Sequence, residues 1–254
     1  MKILFLDMEW GQVYGSYRRH FIPIEVGVVI FSSEDDVPIL EGKKFYYDID
    51  LVVRRNIVNH VGKTVGFSET VANLAKGEYQ KPFTHSYKLQ KPGKAVAIRL
   101  SQRSLSDLHQ YIDALFKRYD ISQIVLFGGN EDLNLLKAAD IDISNIKIID
   151  IQRVIKKEMR YLFSLDKISL IIGFHSNNKF FGSNNFRYPL PERYKYLIKP
   201  HRAVGDVCRI FAVYQEFYRA KLQFVQQCRS YFKNNQVCKS TTDTDTVSKF
   251  LHVL

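Results

Sequence analysis

Cysteine is scarce in this chain of 254 residues: Cys208, Cys228 and Cys238 are the only three, all towards the C-terminal end. An odd number without C-x-x-C spacing suits neither a disulfide framework nor a zinc site, and a reducing, cytoplasmic setting is expected. Cys208 follows Val207 and precedes Ile210 and Phe211 in a helical pattern, which makes it a small buried residue. An apolar run long enough to span a bilayer is also lacking, and Met1 to Leu6 already read as the start of a strand, so no leader and no membrane span are expected. A membrane-surface protein would further need an amphipathic basic helix or a lipidation signal, and neither is seen. The absence of G-x-S-x-G and of G-x-x-x-x-G-K-[ST] sets aside the Ser-His-Asp hydrolases and the nucleoside-triphosphate enzymes. No internal repeat is visible.

Positive charge is abundant. Lys and Arg number 37 against 26 Asp and Glu, a formal charge of +11, which attracts polyanions at long range and makes nucleic acid the leading partner. With 46% hydrophobic residues, the length suits one α/β domain with appendages. Apolar runs over 3–10 and 22–31 read as adjacent strands, and Lys44-Phe45-Tyr46-Tyr47-Asp48-Ile49 as a third strand of the same meander. The pattern then degrades, and 50–100 reads as an insertion, equally a surface excursion or a substrate-handling lid.

Order returns with Leu105, Leu108, Ile112 and Phe116, spaced for an amphipathic helix. Strand 123–127, a Gly128-Gly129 turn, helix 131–139, strand 146–150 and a helix from Gln152 follow, then an irregular loop over 176–200. A last long helix runs from His201 or Arg202 to Gln227, and 221–254 forms a C-terminal helical extension and polar tail beyond a main domain of 1–220. A strand meander followed by alternating strands and helices is an α/β arrangement, a mixed sheet with helices on its faces.

Asp7-Met8-Glu9 ends the first hydrophobic strand. Side chains alternate along a strand, so Asp7 and Glu9 point to one face and Met8 to the other. Two carboxylates on one face repel unless a cation sits between them, and hard cations such as Mg²⁺ or Mn²⁺ prefer oxygen ligands. D-x-E alone is a weak signal that a solvated strand end explains as well. Asp132 follows the Gly128-Gly129-Asn130-Glu131 turn at the carboxyl end of a strand, where it serves either a site or the charge balance of a helix N-terminus. His201 and Asp206 form H-x-x-x-x-D across a loop-to-helix junction, with the carboxylate about one helical turn beyond the imidazole.

In this order, D-x-E, an isolated Asp in G-x-x-D-x-x-x-L, and H-x-x-x-x-D resemble the three motifs of the DEDDh 3′→5′ exonucleases of the ribonuclease H-like fold. The resemblance covers most of residues 1–220. Ile24-Glu25-Val26-Gly27-Val28-Val29-Ile30 resembles the family's second strand, Ile149-Asp150-Ile151-Gln152 its fifth, and 164–173 its helix-to-loop segment. The resemblance implies a ribonuclease H-like mixed sheet of five strands with helices on both faces. It also implies two divalent ions, Mg²⁺ or Mn²⁺, held by Asp7, Glu9, Asp132 and Asp206, with His201 as general base. Met8, Trp10, Gly11 and Arg202 become the expected neighbours of a single-stranded RNA or DNA 3′ end.

Where many members have Thr-x-Gly after D-x-E, this chain has Trp10-Gly11, which keeps a backbone approach to the terminal nucleotide and changes the side chains around it. Trp10 offers either a stacking face for a base or a core aromatic. Gly-Gly-Asn-Glu before Asp132 brings the chain nearer the branch of small-RNA-trimming exoribonucleases and bacterial sporulation-inhibitor-like proteins. Arg18, Arg19, Arg54, Arg55, Lys179, Arg187, Lys199 and Arg202 are candidate phosphate contacts, the last two because they flank His201. Two other readings stand beside this one: a nucleic-acid-binding or regulatory protein that keeps the fold with little catalysis, and a phosphoesterase of small nucleotides.

Overall fold

The computed structural model describes residues 2–12, 21–32, 34, 38–45, 94–172, 175–176, 179–180 and 203–237. Among them, strands β1 (Lys2–Gln12), β2 (Phe21–Phe31), β3 (Ile39–Lys44), β4 (Ile121–Leu126) and β5 (Lys147–Asp150) form one mixed five-stranded sheet in the order β3-β2-β1-β4-β5. β1 pairs antiparallel with β2, and β2 with β3, while β1–β4 and β4–β5 are parallel. The parallel pairs need crossovers, which helices α1 (Lys94–Arg118) and α2 (Asn130–Ala138) supply. Then come α3 (Ile151–Met159), α4 (Leu165–Ile171), a two-strand hairpin β6 (His175–Ser176) and β7 (Lys179–Phe180), α5 (Ala203–Arg219) and α6 (Lys221–Val237). No described helix is long and apolar enough to cross a membrane.

Central β1 is covered on both sides, which is why it reads as a nearly continuous apolar run. Leu4, Leu6 and Met8 pack with Val26, Val28, Ile30, Ile124 and Leu126 against Leu108, Ile112 and Leu115 of α1 and Leu135 and Leu136 of α2. On the opposite face, Phe5, Val29, Phe31 and Val125 meet residues of α3, α4, α5 and α6. α5 is buried along most of its length, and Phe211 and Tyr214 set their rings edge-on to Phe5, with centroids 5.2 and 5.0 Å away. Such aromatic pairs contribute ~0.5–1.5 kcal/mol each beyond their buried area, and these two fasten α5 to β1 beside Asp7.

Three elements differ from expectation. The third strand is Ile39–Lys44 and ends where the aromatic run begins; Phe45 packs into the core beyond it, and 46–49 lie outside the described residues. This edge strand carries Glu41, Gly42 and Lys43, a composition that hides its strand character from a hydrophobic pattern and suits an edge. α1 begins at Lys94, inside the span read as insertion, and the rest of that span, 50–93, lies outside the described residues. The single last helix is two. Hydrogen bonds from Ala220 N to Glu216 O (3.0 Å) and from Phe224 N to Ala220 O (2.9 Å) carry the chain through a bend at Ala220. No Gly or Pro marks this bend; beyond it Phe224 and Cys228 are buried in the same cluster as Phe5 and Phe211.

Candidate metal centre

β1 outruns its neighbour β4, whose last partner on it is Phe5, so the segment from Asp7 onward borders β2 on one side and the turn after β4 on the other. Asp7 and Glu9 share the Phe5 face, the one covered by α5, and Met8 faces the opposite core. Asp7 lies opposite Gly27 of β2, and Gly27 opposite Gly42 of β3. The first turn of α5 rests on this glycine pair. A Cβ on Gly27 would overlap the Ala203 carbonyl and come within 2.5 Å of the Val204 nitrogen, and one on Gly42 would strike the Val204 side chain. Two missing side chains therefore let the helix approach the sheet closely enough for Asp206, in its first turn, to meet the strand carboxylates. Asp7, Glu9 and Asp206 each present an oxygen, and these oxygens lie within 4.8 Å of one another. Glu9 and Asp206 are buried, and Asp7 is half-buried in surroundings dense with protein atoms.

Such crowding of anions out of water is costly. Burial first, then the charges of Asp206, Asp132 and Glu9, push the Asp7 carboxyl well above its ordinary range, with the Arg209 guanidinium pulling the other way. Three mutually repelling carboxylates under low hydration form an oxygen donor set that fits a hard divalent cation. Asp132 stands beside this trio rather than within it. Its Oδ1 accepts a hydrogen bond from the Met8 backbone N–H at 3.1 Å, tying α2 to the stretch of β1 that β4 no longer reaches. Burial lifts Asp132 from the usual 3.8 to about 7, against the pull of its backbone hydrogen bonds.

The turn before Asp132 depends on Gly128, whose φ of +67° is a conformation L side chains rarely adopt. Asp150 holds that turn. Its Oδ1 accepts from Gly128 N (2.9 Å) and from Gln152 N (3.1 Å), which joins the turn to the N-terminus of α3.

Both raised carboxyls bind protons in the folded chain that the unfolded chain has already released. For Asp132 that interval runs from 3.8 up to about 7, and Asp7 adds in the same direction. The contribution of these two carboxyls to stability therefore falls as pH rises through the interval. Thermal melts in EDTA are expected to show a higher midpoint at about pH 5.5 than at about pH 8, with Mn²⁺ recovering stability at the higher pH. A midpoint that rises with pH in EDTA would mean these carboxylates are already charge-compensated.

The structure brings Asp7, Glu9 and Asp206 together with Asp132 next to them; His201 and Arg202 lie outside the described residues. Met8, expected near substrate, buries its side chain in the core on the far face and offers only backbone at the site. Trp10 packs partly buried against that same far-face core, beyond a register shift after Glu9, and Gly11 pairs with Ile22 near the end of β1. Of the candidate phosphate contacts, Lys179 falls in β7; Arg18, Arg19, Arg54, Arg55, Arg187 and Lys199 lie outside the described residues, as does Cys238.

Four residues at the site were given no site role in the sequence reading: Gly27 and Gly42, which seat α5; the buried Arg209; and Glu25, buried opposite Glu9. The parity of β2 could have signalled Glu25 and Gly27, since they share the face of Val29 and Phe31. A separate cleft of about 510 Å³ runs along β5, lined by Asn130, Lys147, Asp150, Arg153 and Tyr218 among others, and none of the four site carboxylates borders it. Comparison of the chain with family models, curated proteins and solved structures finds no match.

Proposed function

We propose that this chain is a metal-dependent 3′→5′ exonuclease of the DEDDh, ribonuclease H-like class, acting on single-stranded RNA or DNA. The observation that carries the proposal is the meeting of Asp7 and Glu9 on a central strand with Asp206 on a helix about two hundred residues later, their oxygens within 4.8 Å of one another. The antiparallel meander β3-β2-β1 continued by parallel β4 and β5, with helices on both faces, supports the class assignment. The formal charge of +11 favours a polyanionic substrate over a small nucleotide.

In this reading Asp7, Glu9 and Asp206, with Asp132 beside them, would hold Mg²⁺ or Mn²⁺. Held there, such ions would supply charge stabilisation for an in-line displacement at phosphorus. The chain's own residues hold these oxygens in fixed positions. β1 and α5 pack directly on one another, and preorganisation of this kind limits the rearrangement needed when substrate arrives. His201, five residues ahead of Asp206 in sequence, takes the role of general base, the task for which imidazole is the side chain most often used. The backbone at Trp10-Gly11 supplies the approach to the terminal nucleotide.

The test is incubation of the full chain with 5′-labelled single-stranded RNA and DNA of equal sequence, in Mg²⁺ or Mn²⁺, with EDTA as control. A ladder of products shortened from the 3′ end is expected, lost on chelation and sharply reduced by His201→Ala. Tight binding of both polymers with no shortening would instead favour a nucleic-acid-binding protein that keeps the fold, and cleavage confined to mononucleotides or dinucleotides would favour a small-nucleotide phosphoesterase.

A further inference from the structure

Arg209 is among the largest fully buried side chains of the protein, 1% exposed, and it lies one turn beyond Asp206 on α5. Its Nε donates to Asp206 Oδ1 at 3.1 Å, its Nη2 donates to the same oxygen, and its Nη1 donates to Asp166 Oδ1 on α4. A guanidinium out of water persists only where its fork is matched by acceptors, and here the fork spans two carboxylates on two helices. Burial opposes its charge, but Asp206 and Asp166 hold it protonated more firmly than usual. Asp166 is half exposed, so the chain of groups runs from the carboxylate trio out to the surface of α4.

We propose that Arg209, anchored from behind by Asp166, is a positioning residue that orients the Asp206 carboxylate towards Asp7 and Glu9 and so sets the affinity of this site for a divalent cation. The inference rests on the metal-site reading above and adds two residues that none of the three motifs contains. Two N–H groups on one carboxylate oxygen restrict rotation of the Asp206 side chain in a way that a single point charge would not. The guanidinium also offsets part of the repulsion felt by Asp7, which lets three carboxylates stand ready in one arrangement before a cation arrives. Partners behind a metal ligand commonly govern ~10–100-fold in metal affinity.

Mn²⁺ binding, read from the electron paramagnetic resonance signal of the free ion, separates this role from a structural one when set beside the melting temperature of the metal-free protein. Wild type is expected to bind Mn²⁺, and Asp7→Asn to lose that binding. Arg209→Lys, which keeps the charge but not the fork, is expected to weaken binding ~10–100-fold, and Asp166→Asn about 10-fold, with the Asp166 variant melting within a few degrees of wild type. Should Arg209→Lys fail to fold, Asp166→Asn at its half-exposed position decides alone. Wild-type Mn²⁺ affinity in Asp166→Asn, or in a folded Arg209→Lys, would overturn the positioning role while leaving the metal site intact. No Mn²⁺ binding by wild type, or unchanged binding by Asp7→Asn, would overturn the metal-site reading and this inference with it.

Discussion

Asp7→Asn is expected to reduce cation-dependent shortening of nucleic acid by at least ~10³-fold, a transition-state cost of about 4 kcal/mol, while making the metal-free protein more stable. The amide matches the carboxylate in shape but carries no charge. It therefore removes the anion on which Asp206, Asp132 and Glu9 all press, and with it one oxygen donor of the proposed cation site. Relief of that repulsion should raise the melting temperature in EDTA at about pH 8, by ~2–4 °C for each kcal/mol gained in a domain of this size. The gain should shrink as the pH is lowered, because burial and the neighbouring carboxylates favour the neutral, protonated form of the wild-type carboxyl. Activity loss joined to stability gain is the signature of strain kept for function. A variant that lost stability together with activity would mark Asp7 as a structural residue instead.

Gly27→Ala carries the second large effect. The added methyl group meets the backbone of Ala203 and Val204, not a side-chain tip, so α5 must shift away from β2. Overpacking of this kind costs ~1–3 kcal/mol, and a displacement of about 1 Å in one catalytic group can cost ~10²-fold in rate. A drop in activity of about that size is expected, with weaker Mn²⁺ binding, because Asp206 moves with the helix. Gly42→Ala strikes only the tip of Val204, although its Cβ would also lie 3.2 Å from the Val26 carbonyl, so it should be milder. Pairing it with Val204→Ala should restore most of the loss. The same second substitution should not rescue Gly27→Ala, and rescue there would show that the helix is not held off by its backbone. Steady-state shortening rates and Mn²⁺ titrations of the four variants check both statements.

Much of the sheet was legible in the sequence because strand signals are local. β1 and β2 were read to within two residues at each end, and β4 and β5 to within two, since their apolar runs carry the period of two or the continuous burial that a central strand needs. β3 was misplaced because an edge strand need not be apolar, and Glu41, Gly42 and Lys43 read as surface. The bend at Ala220 left no local mark either; Arg219, Ala220, Lys221 and Leu222 all suit a continuous helix, and only the burial of Phe224 and Cys228 turns the chain.

The sequence by itself determined that Asp7 and Glu9 share one face of a strand and that Met8 takes the other, because alternation is a property of the extended backbone and needs no partner. It also determined the class of architecture, through the order of its periodic segments. Only the tertiary structure decided that Asp206 reaches those carboxylates, that a pair of glycines on two other strands makes the room, and that Arg209 stands behind with its fork divided between Asp206 and Asp166. Each of these depends on registers and helix docking between residues far apart in the chain. Such contacts are chosen by how two whole surfaces pack, and no single segment carries that information.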